Sequence, residues 1–209
     1  MDKDIKNIIF DLGGVILNID IRLSVERFAD LAGVTSDEAW GFFKGSEVFH
    51  AIEVGTGTEG DLVEAIRSFT GKDLRPEEVV GAWNELLLDF PEERVEALKR
   101  LGERYRIFLL SNTNATHATY FEKRFEEAFG EPMSGLFEKV YYSHELGLRK
   151  PGEEIFAHVL ADAGLDPSET LMVEDTAPNA ETAERLGMES LLVEANKGVF
   201  SDLFAEALA

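Results

Sequence analysis

Lys6-Asn7-Ile8-Ile9-Phe10-Asp11-Leu12-Gly13-Gly14-Val15-Ile16 is the stretch that decides the fold. Ile8, Ile9 and Phe10 make an apolar run too short for a core helix and suited to a strand buried on both faces. The run ends on Asp11, after which Gly13 and Gly14 let the backbone turn sharply and approach a ligand where a Cβ would interfere. A carboxylate at the C-terminal end of a buried strand stands where open α/β sheets bind their ligands. Asp before Gly-Gly also opens ordinary turns, so the rest of the chain must separate the two readings.

No second strand pattern appears between residues 17 and 88. That region reads as four helices: 20–31, closed by Gly33; an aromatic one opened by Thr35 and Glu38 in capping-box spacing and carrying Trp40, Phe42, Phe43 and Phe49; 61–69; and one opened by Pro76. The expected organisation is a core of 1–16 and 89–209 with a separate helical domain, 17–88, inserted. From residue 92 onward, helical patterns at 92–101, 116–129, 151–163 and 177–186 alternate with short apolar runs at 106–110, 139–142, 170–173 and 190–193. Such alternation predicts an α/β fold with a doubly wound parallel sheet. Right-handed crossovers then bring the strand ends to one rim.

The net charge of −21, from 41 acidic and 20 basic residues, disfavours nucleic acid or an anionic membrane as partner, since both need a basic footprint. No apolar run approaches the ~18 residues of a membrane span, and Met1-Asp2-Lys3-Asp4 does not read as a signal peptide, so a cytoplasmic protein is expected. With no cysteine in the chain, any metal must be held by oxygen or imidazole ligands, which favours a hard cation such as Mg²⁺.

Four groups would meet at the rim: Asp11, Ser111 with Asn112, Lys150, and Glu174 with Asp175. Clustered carboxylates raise one another's pKa or recruit a cation, and Mg²⁺ suits their oxygens. A lysine, a hydroxyl and backbone amides nearby suit a phosphoryl group, and Asp11 is placed to act as nucleophile through an aspartyl-phosphate.

The order Phe10-Asp11-Leu12-Gly13-Gly14-Val15, Leu110-Ser111-Asn112-Thr113-Asn114, Arg149-Lys150-Pro151 and Glu174-Asp175-Thr176-Ala177-Pro178-Asn179 resembles the four motifs of the haloacid dehalogenase-like (HAD) hydrolase superfamily. The helical insert resembles the cap of subfamily I, and the strings resemble the sugar-phosphate phosphatase branch that includes α-D-glucose-1-phosphate phosphatase. The resemblance covers nearly the whole chain and implies a Rossmann-like core under an α-helical cap domain. It implies Asp11 as nucleophile, Ser111 and Asn112 as phosphate ligands, and Lys150 as the charge steadying both. Mg²⁺ would lie between Asp11, the Gly13 carbonyl and Asp175, with Glu174 a direct or water-mediated ligand. The expected partner is a small phosphorylated metabolite and the expected state a monomer.

Two departures stand out. Most family phosphatases carry a second aspartate two residues after the nucleophile, where this chain has Gly13, and loss of such an acid costs ~10²–10⁴ in rate. Anomeric phosphates or pyrophosphate, which leave more readily than alkyl esters, are therefore the expected substrates. Glu174 stands where the family usually has Asp. The alternatives are a metal-independent haloacid dehalogenase, against which the paired carboxylates argue, and a catalytically weak binding or regulatory HAD protein, which Gly13 keeps open. His50 and His144 read as ordinary polar residues.

Overall fold

The computed structural model describes residues 5–197; expectations for 1–4 and 198–209 lie outside the described residues. Five parallel strands form one sheet: β1 (Asn7–Phe10), β2 (Arg106–Ser111), β3 (Lys139–Tyr142), β4 (Thr170–Glu174) and β5 (Glu189–Leu192), in the order β3-β2-β1-β4-β5. β1 is central, with Phe10 level with Leu109 on one side and Val173 on the other. That register sets Asp11 beside the ends of β2 and β4.

Alternation along the buried strands splits the core between the two faces. Ile8, Phe10, Leu109 and Val173 pack on one side with Val95, Leu98, Phe121 and Phe125. These come from α6 (Glu92–Gly102) and α7 (Ala115–Phe129). Ile9, Phe108, Leu110 and Met172 pack on the other with Ile155, Phe156 and Val159 of α9 (Glu153–Ala163) and Ala183 of α10 (Ala177–Arg185). Both faces are covered, as a doubly wound sheet requires.

Between β1 and β2 the insert folds as α1 (Ile21–Ala32), α2 (Ser36–Gly45), α3 (Glu47–Glu53), α4 (Glu59–Thr70) and α5 (Pro76–Asn84). Four helices were expected here, and the difference lies at Ser46. Its extended backbone (φ −88, ψ 124) ends α2 and opens α3, dividing what reads as one aromatic segment. The capping box of Thr35 with Glu38 is formed, and Thr58 with Asp61 forms another. Phe42 stacks on Phe69 at 4.2 Å, Phe43 packs tilted against Phe49 at 4.3 Å, and Trp83 stacks on His117 of α7 at 4.4 Å, joining insert to core. Its two connections pair with each other: the Asn18 N–H donates to the Asp89 carbonyl and the Leu88 N–H to the Asn18 carbonyl, both at 2.9 Å. One short helix, α8 (Ser143–Leu146), follows β3 unannounced by sequence pattern, and α9 starts two residues after Pro151 because Gly152 first turns back to the Arg149 carbonyl. Among the described residues no helix is long and apolar enough to cross a membrane.

Candidate active site

Asp11 leaves β1 with its N–H bonded to the Val173 carbonyl at 2.9 Å and is 8% exposed. The chain then wraps tightly, the N–H groups of Ile16 and Leu17 both reaching the Leu12 carbonyl. Gly14 takes φ 75, and a Cβ on it would lie 2.2 Å from Asp175 Oδ2. Only glycine satisfies both the left-handed backbone and the close approach. Gly14→Ala is expected to drive the Asp175 carboxylate out of place, costing about 1–3 kcal/mol of stability; a melting curve checks it, and a wild-type melting temperature would refute the contact.

Lys150 reaches the rim from the loop before α9. Asn112 fixes its backbone: the Lys150 N–H donates to Asn112 Oδ1 at 2.9 Å and Asn112 Nδ2 donates to the Lys150 carbonyl at 2.8 Å. The ammonium, 1% exposed, donates to Asp11 Oδ1 and to Glu174 Oε2, each at 2.7 Å. The other Glu174 oxygen, Oε1, accepts the N–H groups of Asp175 and Thr176 at 3.2 Å. Carboxylate oxygens of Asp11, Glu174 and Asp175 all lie within 4.8 Å of one another.

Burial pushes the Asp11 carboxyl up to about 7, with Glu174 and Asp175 adding to the rise and Lys150 opposing it. Burial and Glu174 push Asp175 up to about 6. Burial alone would lower the Lys150 ammonium, but Asp11 and Glu174 outweigh it and hold it above the usual lysine range. The cluster is short of positive charge.

Sequence reasoning named Asp11, Gly13, Ser111, Asn112, Lys150, Glu174 and Asp175. Asp11, Lys150, Glu174 and Asp175 form one bonded cluster, and Gly13 sits in the turn that follows Asp11. Ser111 is buried at the end of β2, 3% exposed. The Asn112 side chain is committed to the Lys150 backbone. A Cβ on Gly13 would lie 3.1 Å from Ile19 Cδ1, so Ile19 takes up room that a side chain at 13 would need.

Three polar residues beside this cluster, His50, Glu53 and Arg149, were given no role in the sequence, where His50 reads as an ordinary polar residue. Arg149, next to Lys150, has Nη1 3.0 Å from His50 Nδ1 and Nη2 3.1 Å from Glu53 on α3. Burial raises the Glu53 carboxyl while Arg149 and His50 counter it. His50 and Glu53, three apart on a helix, share a face, but nothing local announces a partner some hundred residues away. His50, Arg149, Asn112, Ile19, Phe43 and Trp83 line a cavity of about 370 Å³ between insert and rim. His144 lines a different cavity.

A family model described as haloacid dehalogenase-like hydrolase matches residues 5–187. The D-ribitol-5-phosphate phosphatase of Bacteroides thetaiotaomicron is 31% identical over 186 residues, spanning 89% of this chain and 90% of that protein. A HAD family enzyme from the same organism, solved in complex with magnesium and inorganic phosphate, superposes with a TM-score of 0.88 at 34% identity, over 96% of this chain and 99% of that one. A predicted HAD-like family hydrolase from Porphyromonas gingivalis superposes at 0.87 with 30% identity, over 97% and 98%. With that match laid over the four motifs and the doubly wound sheet, the chain belongs to the haloacid dehalogenase-like hydrolase family.

Proposed function

We propose that the protein is a Mg²⁺-dependent phosphatase of a small sugar or alditol monophosphate, working through an aspartyl-phosphate on Asp11. The observation that carries the reading is the buried Lys150 ammonium shared between Asp11 and Glu174 inside a three-carboxylate cluster. Its similarity to a D-ribitol-5-phosphate phosphatase and to a magnesium- and phosphate-bound HAD enzyme supports the substrate class and the metal.

The donor set fits Mg²⁺: hard oxygens, and three clustered carboxylates against the single Lys150 ammonium. Asp11, the Gly13 carbonyl and Asp175 would hold the ion. Glu174 would act through water, because both its oxygens already accept hydrogen bonds. When bound, Mg²⁺ keeps the carboxylates ionised and draws charge from the phosphoryl oxygens.

The chain's own groups do the rest. An Asp11 carboxylate oxygen attacks phosphorus and the bond to the leaving oxygen breaks; water then cleaves the acyl phosphate, releasing inorganic phosphate. Lys150 holds the nucleophile and offsets charge on the phosphoryl group, joined by the Ser111 hydroxyl and the Asn112 backbone N–H. Residue 13 has no side chain to protonate the leaving oxygen, so we assign that proton to water. Ribitol 5-phosphate is a primary alkyl ester, so the relative favours such esters over the anomeric phosphates expected from Gly13.

We assign residues 17–88 the part of a cap that closes over the leaving group, with the paired connections near Asn18 and Asp89 as its pivot and the tie from Arg149 to His50 and Glu53 as its latch. We also read the protein as a cytoplasmic monomer without nucleic-acid or membrane partners, in keeping with its charge of −21 and cysteine-free composition; a light-scattering mass of 23.3 kDa is the check.

Phosphate release from ribitol 5-phosphate, glucose 1-phosphate and pyrophosphate, with Mg²⁺ and with EDTA, tests the function. Metal-dependent release from a sugar or alditol phosphate supports it. Halide release from a 2-haloacid without metal, and no phosphate from any compound, would move the protein to the dehalogenase reading; no turnover at all would move it to the binding reading.

The pH dependence has a definite sign. Asp11 and Asp175 titrate near 7 and 6 in the folded, metal-free protein against a reference of 3.8, so between these values the fold holds protons that the unfolded chain has lost. Their contribution to stability is full at low pH and is lost as pH rises through 6 and 7. Mg²⁺ competes with those protons. The rise in melting temperature produced by Mg²⁺ should be small at pH 5, grow through pH 6–7 and level off near pH 8; a shift independent of pH would contradict the assignment.

A further inference from the structure

We infer that Asn196, in the loop after β5, is a positioning residue that locks the turn carrying Gly13 and Gly14 to the pivot of the helical insert. It is the one non-glycine residue with left-handed backbone among the described residues, at φ 63. Asparagine tolerates that conformation, but a residue held there marks a constraint that its surroundings maintain. Three hydrogen bonds maintain this one. The Asn196 N–H donates to the Gly14 carbonyl at 2.7 Å. Its side-chain Oδ1 accepts the Ile19 N–H at 3.0 Å, and its Nδ2 donates to the Ile19 carbonyl at 2.8 Å.

The amide thus pairs with residue 19 as a neighbouring strand would. Ile19 lies on the first connection into the insert, bridged antiparallel to Leu87 on the second. Its side chain closes over Gly13, while Ala195 closes on Gly14, lying 3.3 Å from where a Cβ there would stand. One loop therefore holds the turn from one side and the pivot from the other. The Val193 N–H bond to the Glu174 carbonyl, 2.8 Å, ties the start of the same loop to the carboxylate cluster. Ile19 and Asn196 thus join the connection into the insert directly to the turn at Gly13 and Gly14.

The inference rests on the assignment of the Gly13 carbonyl, Asp11 and Asp175 as metal ligands. Asn196→Gly is the informative variant, since glycine takes the left-handed backbone without strain and only the amide is lost. With Mn²⁺ as a paramagnetic probe, titrated by electron spin resonance, the Kd should rise about tenfold, the range seen when groups supporting metal ligands are removed. Its kcat should fall while the melting temperature in EDTA stays within about 3 °C of wild type. Mn²⁺ affinity within about twofold of wild type, whether or not stability changes, would overturn the inference. Asp175→Asn, run alongside, separates the two levels: if it also leaves Mn²⁺ binding intact, the metal assignment fails, and if it alone weakens binding, only the role of Asn196 fails.

Discussion

Asp11→Asn should abolish phosphate release, lowering kcat by at least about 10⁴-fold, because an amide cannot form the acyl phosphate and the remaining groups act only by binding. The fold should survive. Asp11 titrates near 7 in the folded protein against 3.8 as reference, so at pH 8 its charge is a net cost to the metal-free native state. Removing that charge leaves Lys150 still bonded to Glu174. The melting temperature in EDTA at pH 8 should therefore not fall below wild type, so that lost turnover cannot be ascribed to unfolding. Activity above about one part in a hundred of wild type would remove Asp11 from the role of nucleophile.

Lys150→Met should damage both activity and stability. The side chain is 1% exposed and is the ammonium bonded to Asp11 and Glu174, the latter wholly buried. Removing one partner of a buried ion pair strands the other, at a cost of about 3–5 kcal/mol. Here two carboxylates lose their cation, and among the described residues the Asp11 side chain accepts no other hydrogen bond. Urea unfolding in EDTA at pH 8 should show the loss, and the gap from wild type should narrow at pH 5, where Asp11, pushed up to about 7 by burial, can take up a proton instead. Turnover should fall by about 10²–10³-fold, the scale for deleting a group that faces developing transition-state charge. An unchanged urea midpoint at pH 8 would mean that Lys150 is not the counter-charge of the cluster.

Most of the candidate site was legible in the sequence because its carboxylates and Ser111 each close a short apolar run. Ile8–Phe10 ends in Asp11, 106–110 in Ser111, and 170–173 in Glu174 and Asp175, and a parallel sheet brings such ends together whatever lies between them. Lys150 was readable only in company with these, since a lysine before proline has no strand to announce it. Pairings that join distant segments were not readable. Asn112 looks like a phosphate ligand by position, yet its side chain serves the Lys150 backbone; Arg149 finds His50 and Glu53 across the cavity; Asn196 finds Ile19. In each case an ordinary polar residue acquires its role from a backbone or a helix face brought near by packing. The division at Ser46 escaped for a different reason: the aromatic positions on either side continue one periodic pattern, and only the backbone at Ser46 breaks it.

The most direct test of the central claim is the mass of the Asp11 peptide after rapid acid quench. The enzyme would be mixed with Mg²⁺ and the best substrate of the panel, quenched during turnover, digested and compared with an unreacted sample. A peptide containing Asp11 heavier by one phosphoryl group, absent from Asp11→Asn and from the EDTA control, is the predicted result. Full phosphate release with that peptide unmodified at every quench time, and the label on another residue or on none, would contradict the account.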